Sequence, residues 1–439
     1  MKTIIMIISF FIMSGYTSGI VGQENLSNDI KKLENQIRQL ERDIRQLRRS
    51  SGGNTNQSDK SRISQLEQYV IQLNEALSEL QQKVLDNEAE TQRLSTNQDK
   101  QPKIGIYGTF DVHKQEIEST MFDGHSLEIF ISGQSGERIS YFTEIEFERA
   151  ANVGGNRGGE ILVEEAYTDI KLASAINLRA GIFNIPFGNV ERDRYGPLRD
   201  LVSKPYTSDA LAPQDWSDNG IGFNGKFNLS KSWITDYHVY AVSGLNGNIT
   251  NSGLRDARQG FGQDNNHNKA VATKLKFHHL SGHSFGFSHY IGAWNDLGTH
   301  DIEGINFDFE IDWDWMELIG EYTKMTIDRE IDTSQAIMDG YYLRTVFHLE
   351  KGFVNNWLSK DFPYAKLALV LQYDEVNIEN FADPLQPDNW HERYTSGITL
   401  EPDYSWRIKL NYEEIKTPHI APIGHNHSDT WTFSIGYIF

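Results

Sequence analysis

The last nine residues, Trp431-Thr-Phe-Ser-Ile-Gly-Tyr-Ile-Phe439, constrain the fold more than any other stretch. Trp431, Phe433, Ile435, Tyr437 and Phe439 recur at every second position, and period 2 is the repeat of a β-strand. One face of the segment is therefore large and apolar throughout. The other carries Thr432, Ser434 and Gly436, with Ile438 as the exception. A strand that is greasy on one face and small and polar on the other fits a transmembrane β-barrel, whose wall separates lipid from a wet lumen. A sandwich strand can alternate too, but rarely sets five large apolar residues in one row.

The N-terminus points the same way. Lys2 precedes an apolar run from Ile4 to Met13 and then small residues through Gly19 and Gly22. That order describes a secretory signal peptide over residues 1–22, and the run is too short to span a bilayer as a helix. Without cysteine the chain has neither a lipidated N-terminal Cys nor a disulfide. Past residue 22 no apolar run is long enough for a membrane helix, whereas a barrel needs apolar residues only at alternate positions. The 19 Tyr, 23 Phe and 9 Trp suit the aromatic girdles of such a barrel. The final strand also resembles the C-terminal signature of bacterial outer-membrane proteins. The resemblance implies that its five large residues are read by the barrel-assembly machinery.

Residues 23–102 carry two heptad blocks. Ile30, Leu33, Ile37, Leu40, Ile44 and Leu47 form one seam, and Ile63, Leu66, Val70, Leu73, Leu77, Leu80 and Val84 form the other. Alternating spacings of three and four keep an apolar stripe on one side of a helix, the requirement of a coiled coil. A Ser/Gly/Asn-rich joint near 50–61 separates the blocks, which are out of phase with each other. The expectation is two short periplasmic coils; an intramolecular helical hairpin is the plainer alternative.

From residue 103 to 439 the period changes to two. Sixteen strands are expected near 104–112, 126–132, 138–148, 163–172, 177–183, 220–228, 233–242, 270–278, 284–294, 304–313, 315–327, 340–350, 364–376, 393–401, 405–415 and 430–439. The connections alternate long and short, starting with a long one. The link at 351–363 breaks the rule. Alternation with an even strand count is the habit of bacterial barrels. The fold class is an all-β transmembrane barrel of about sixteen antiparallel strands preceded by a short helical coiled coil.

The longest connection, 184–219, contains Asn184-Ile-Pro-Phe-Gly188, Glu191-Arg-Asp-Arg194, Arg199, Lys204 and Trp216. It is too long for a turn and too rich in Pro and aromatics for a tether. It is similar in position to the loop that folds into the lumen of the general porins. Residues 180–227, with Ala-Gly-Ile-Phe-Asn-Ile-Pro-Phe-Gly, Leu211-Ala-Pro and Gly220-Ile-Gly-Phe-Asn-Gly-Lys-Phe227, resemble the phosphate-selective porin family of the O and P type. The resemblance implies a homotrimeric passive channel in the bacterial outer membrane with this loop as its constriction. Charges there set selectivity. Arg192, Arg194, Arg199 and Lys204 on the loop, facing Glu144, Glu146 and Arg179 on the wall, are the candidates; for any one of them a structural ion pair is an equal alternative.

Charge argues against dedicated phosphate uptake. Residues 1–102 hold 13 basic and 13 acidic side chains, so the net charge of −20 falls on the barrel. Strand parity sends Arg179, Lys226, Lys274, Lys276, Arg344, Lys366, Arg407 and Lys409 to the lumen together with Glu144, Glu146, Glu148, Asp236, Asp308, Glu310 and Asp312, a mixed wall rather than a cationic ladder. External acids could bind divalent cations that bridge lipopolysaccharide. His278, His279 and His283, and His419, His425 and His427, lack metal-ligand spacing on a defined element. No hydrolase motif, cofactor-binding loop or nucleic-acid patch is present, so no catalytic residue, metal or cofactor is expected. Two other functions remain: an envelope tether whose coil touches peptidoglycan, and a less favoured outer-membrane hydrolase.

Overall fold

The computed structural model describes residues 37–40, 42, 44, 64–74, 77, 101–115, 119–149, 159–213, 215–349, 362, 364–417 and 427–439. The chain divides into Met1–Lys100 and Gln101–Phe439. In the first part the described residues are helical, and the seam positions Ile37, Ile44 and Leu73 are buried. Residues 1–22, the joint and most of both heptad blocks lie outside the described residues. The short helical stretches do not support the expected coiled coil.

The second part is a barrel. Its strands are β1 (Lys103–Gln115), β2 (Met121–Ser135), β3 (Ile139–Glu148), β4 (Glu160–Ala173), β5 (Ile176–Asn184), β6 (Ser217–Asn228), β7 (Trp233–Val242) and β8 (Ala270–His279). They continue as β9 (Ser284–Ala293), β10 (Asp301–Trp313), β11 (Met316–Asp328), β12 (Gln335–His348), β13 (Lys366–Ile378), β14 (Asn389–Asp403), β15 (Trp406–Lys416) and β16 (His427–Ile438). Each pairs with its sequence neighbours, and β16 pairs antiparallel with β1, so no edge is left open. Phe439 seals the seam: its N–H donates to Ile106 O at 2.8 Å and its carbonyl accepts from Ile106 N at 2.9 Å.

All sixteen expected strands are present. The first connection is shorter than expected, 116–120, because β1 and β2 run on past a register shift between Thr109 and Asp111 that hides their alternation. Short connections such as 136–138, 174–175 and 314–315 gather at the end where β1 begins, with 349–365 the long exception there; 185–216 and 243–269 are at the other end.

The faces are inverted relative to a soluble protein. On β10 the apolar Phe307 is 53% exposed while its neighbour Asp308 is 0% exposed. The terminal strand behaves alike: Trp431, Phe433 and Phe439 are exposed and Thr432 and Ser434 buried. An apolar outer belt with polar groups inside is stable only in lipid. Aromatic side chains ring the short-turn end, where Trp406 packs on Tyr437 at 5.5 Å and on Phe439 at 6.2 Å. The outer faces of β1 to β4 show Phe110, Phe122, Leu127, Ile161 and Val163. On β9 and β10, by contrast, His289 pairs with Glu303 at 2.9 Å toward the long-loop end.

Candidate functional site

The connection between β5 and β6 folds into the lumen because its apolar residues find a core there. Ile185, Phe187, Leu211 and Trp216 are buried with Phe183, Tyr240, Val242, Tyr290, Met325 and Met338, all inward side chains from the long-loop half of the wall. Trp216 packs against Tyr290 at 4.7 Å and Phe187 against Trp216 at 5.9 Å. Burial of each such side chain is worth roughly 1.5–3 kcal/mol. The connection 243–269 joins the plug, with Leu254 N donating to Ala210 O at 2.9 Å. Small lumen residues make the seats. A Cβ on Gly304 of β10 would come within 2.9 Å of the Phe187 ring, and one on Gly436 of β16 within 3.2 Å of Pro197.

Inside the loop a helical turn at Val190–Asp193, a 3-10 turn at Gly196–Leu198 and a π-helical turn at Thr207–Leu211 bend the chain along the wall. Wall cations moor it. Lys274 Nζ donates to Gly188 O at 2.6 Å, Lys276 Nζ to Asn189 Oδ1 at 2.9 Å and Lys409 Nζ to Gly196 O at 2.7 Å. Arg393 reaches Lys204 O at 2.6 Å and Arg407 reaches Leu198 O at 2.9 Å. Arg344, fully buried, donates to both oxygens of Asp193 at 2.8 and 3.3 Å and to Asp200 at 3.1 Å. Burial would push the Asp200 carboxyl up, but Arg192 and Arg344 outweigh it and hold it at about 2. The lumen cations that parity identified are thus largely consumed in holding the loop.

The sequence candidates fall into three groups. Arg192 bonds Asp200 at 3.0 Å, Glu317 at 2.6 Å and Glu310, so it is moored to β10 and β11. Arg179 pairs with Asp169 at 2.7 Å and lies over the Tyr167 ring at 3.7 Å. Neither lines the opening described next. The remaining five, Arg194, Arg199, Lys204, Glu144 and Glu146, line a cavity between the loop and the β1–β4 wall that is open to solvent on one side.

Glu128, Glu164, His125 and Asp215 complete the titratable lining of that cavity. Arg194 pairs with Glu144 and, at 2.7 Å, with Glu165; Lys204 pairs with Asp215 at 2.7 Å. Burial opposes ionisation of Asp215, yet Lys204 and Arg194 keep its carboxyl at about 2. Glu164 was not among the sequence candidates. It is the extra residue of a β-bulge, since Glu144 pairs with Glu165 and Ile145 with Val163. The bulge turns two consecutive glutamates inward, both buried, against the period-2 rule. The only available signal was the doubled carboxylate at 164–165.

Among the described residues no group of acidic or histidine side chains could hold a metal ion. His279 bonds Ser281 at 2.6 Å and His278 lies 3.4 Å from Asp236; the loop holding His419 and His425 is outside the described residues.

Residues 106–277, from β1 through the inward loop to β8, match the family model described as phosphate-selective porin O and P. Solved outer-membrane channels share the architecture. The anion-selective porin from Comamonas acidovorans is 12% identical, with 77% of this chain and 100% of that chain covered and a TM-score of 0.51. Salmonella typhi OmpF in complex with daunomycin is 11% identical, with 78% and 99% covered and a TM-score of 0.53. The fold is the closed sixteen-stranded barrel of these channels. DcaP of Acinetobacter baumannii, an outer-membrane channel, superposes with a TM-score of 0.52 at 10% identity, over 77% of this chain and 97% of that one. An uncharacterized protein of Aquifex aeolicus (strain VF5) is 26% identical over 275 residues, which make up 57% of this chain. The match spans 62% of the length of that relative. The segment whose residues carry the resemblance, 180–227, lies inside the family match, and in this barrel it forms the plug.

Proposed function

We propose that the protein is an outer-membrane porin through which small hydrophilic solutes diffuse passively, making and breaking no bond. The observation that carries the reading is the charge-lined cavity left between an inward loop and the wall of a closed sixteen-stranded barrel with an apolar outer face. The apolar core in the long-loop half narrows the lumen, so the expected channel is small. Purified protein in planar bilayers should give discrete current steps smaller than those of an open sixteen-stranded porin. Absence of any current would sink the reading.

Selectivity rests with Arg199, Glu146 and the paired charges around them rather than with Arg192 or Arg179. Because wall lysines and arginines are occupied by the loop, dedicated phosphate uptake is not proposed. A homotrimer meeting through the uncharged outer faces of β1 to β4 is the proposed assembly, with lipopolysaccharide at the charged long-loop rim. Recognition of Trp431, Phe433, Ile435, Tyr437 and Phe439 by the assembly machinery, export by residues 1–22, and a periplasmic segment 23–102 reaching peptidoglycan complete the proposal.

The depth of the plug favours one alternative, an anchor whose barrel conducts nothing and whose periplasmic segment ties membrane to wall. The same bilayer recording separates the two.

A further inference from the structure

Three charged groups lining the cavity have no partner among the described residues, and they are of opposite sign. Arg199 is 7% exposed, forms no ion pair, and its Nε has no hydrogen bond. Of the acids acting on it through space, Asp193 is engaged by Arg344 and Asp215 by Lys204, while Asp111 stands beyond ion-pair reach. On the wall, Glu146 and the bulged Glu164 accept no hydrogen bond and form no ion pair. The other charges lining the cavity are taken, Arg194 by Glu144 and Lys204 by Asp215, and Glu128, which donates to the Glu144 carboxylate as the neutral acid, adds none.

Buried charges without partners are costly, and a ligand that supplies the missing counter-charges recovers that cost. A simple anion would meet Arg199 but face Glu146 and Glu164. A simple cation would meet the glutamates but face Arg199. We propose that the cavity is a subsite for a small zwitterion, an amino acid or short peptide, whose carboxylate is received by the Arg199 guanidinium and whose ammonium is received by Glu146 and Glu164. A guanidinium presents a planar fork suited to a carboxylate, and a carboxylate pair suits the three donors of an ammonium. This names the solute class for the channel and rests on that reading for the route of access.

The test is calorimetric titration of the full-length protein, folded in detergent, with glycylglycine, N-acetylglycine and glycinamide. These carry both charges, the carboxylate alone and the ammonium alone. Glycylglycine should bind at least about tenfold more tightly than either analogue, the ratio expected from one additional charge-assisted contact. Arg199→Gln, and separately the Glu146→Gln/Glu164→Gln pair, should each abolish that advantage; heat-modifiable gel mobility reports whether each variant has folded. Equal binding of N-acetylglycine would overturn the proposal in favour of a plain anion site, and equal binding of glycinamide in favour of a cation site. An unchanged ratio in both variants, or no glycylglycine binding, would also overturn it. Wild-type current without glycylglycine binding refutes the subsite alone. Binding without current upholds the subsite and refutes the channel.

Discussion

Arg344 shows how a side chain placed on the lumen by simple parity can serve the loop rather than the solute. It is fully buried and satisfied by Asp193, Asp200 and Gln372, the last at 2.8 Å. Replacing it with Met leaves the two aspartates without their counter-charge, a loss of roughly 3–5 kcal/mol for a broken buried pair. Arg344→Met should therefore leave the barrel folded but release the loop, seen as noisier, larger currents and as protease cleavage within 190–213. Acid should act on the same tether. Asp200 and Asp215 titrate near 2 in the folded protein, below the ordinary 3.8. Their contribution is fully present above about pH 4 and is lost as the pH falls through 2. Pepsin digestion of the intact protein should accordingly begin to cut the loop between pH 4 and 2, before the barrel loses its compact gel mobility. Parity in the sequence placed these cations on the lumen face. It could not reveal that they are occupied, because Asp193 and Arg344 are brought together only by the closed barrel.

At the scale of the element, strand periodicity was legible wherever one face meets lipid and the other polar groups. It failed at two kinds of place. Tyr240, Val242, Tyr290, Met325 and Met338 are inward yet apolar, so the long-loop halves of their strands are apolar on both faces, and an internal core could not be told from a wet wall. The bulge in β4 interrupts alternation by one residue and so conceals which glutamates face inward. That bulge supplies a clean experiment. Deleting Glu164 would restore a regular ladder, with Glu165 still opposite Glu144 and Val163 opposite Ile145. Barrel formation and heat-modifiable mobility should be preserved, whereas glycylglycine binding should fall at least about tenfold, as expected for one lost charge-assisted contact. A collapse of folding instead would show that the bulge shapes the wall.

For the whole molecule, the negative charge of the barrel is a poor guide to what crosses it. Much of the lumen charge is neutralised in pairs between loop and wall, and the unpaired Arg199, Glu146 and Glu164 are the charges proposed to act on a solute. Excision of residues 190–213 with a short Gly/Ser bridge should expose the wall lysines and arginines. Conductance should rise severalfold, and the reversal potential in a salt gradient should move from its wild-type value. No change in either would mean that the loop does not stand in the conducting path.

The plug also has a consequence in time. The loop leaves the barrel after the fifth strand, yet Pro197 rests on Gly436 of the sixteenth, Gly196 lies against Thr109 of the first, and Tyr206 N bonds Asp374 of the thirteenth at 3.1 Å. Those seats do not exist until nearly the whole sheet has been laid down, and contacts so distant along the chain form slowly. The last strand must therefore close around a peptide that already spans the interior, as staves close around a former. Loop protection and ring closure should appear as one kinetic event, and a chain whose loop cannot seat should stall as an open sheet with its seam between β1 and β16 unmade.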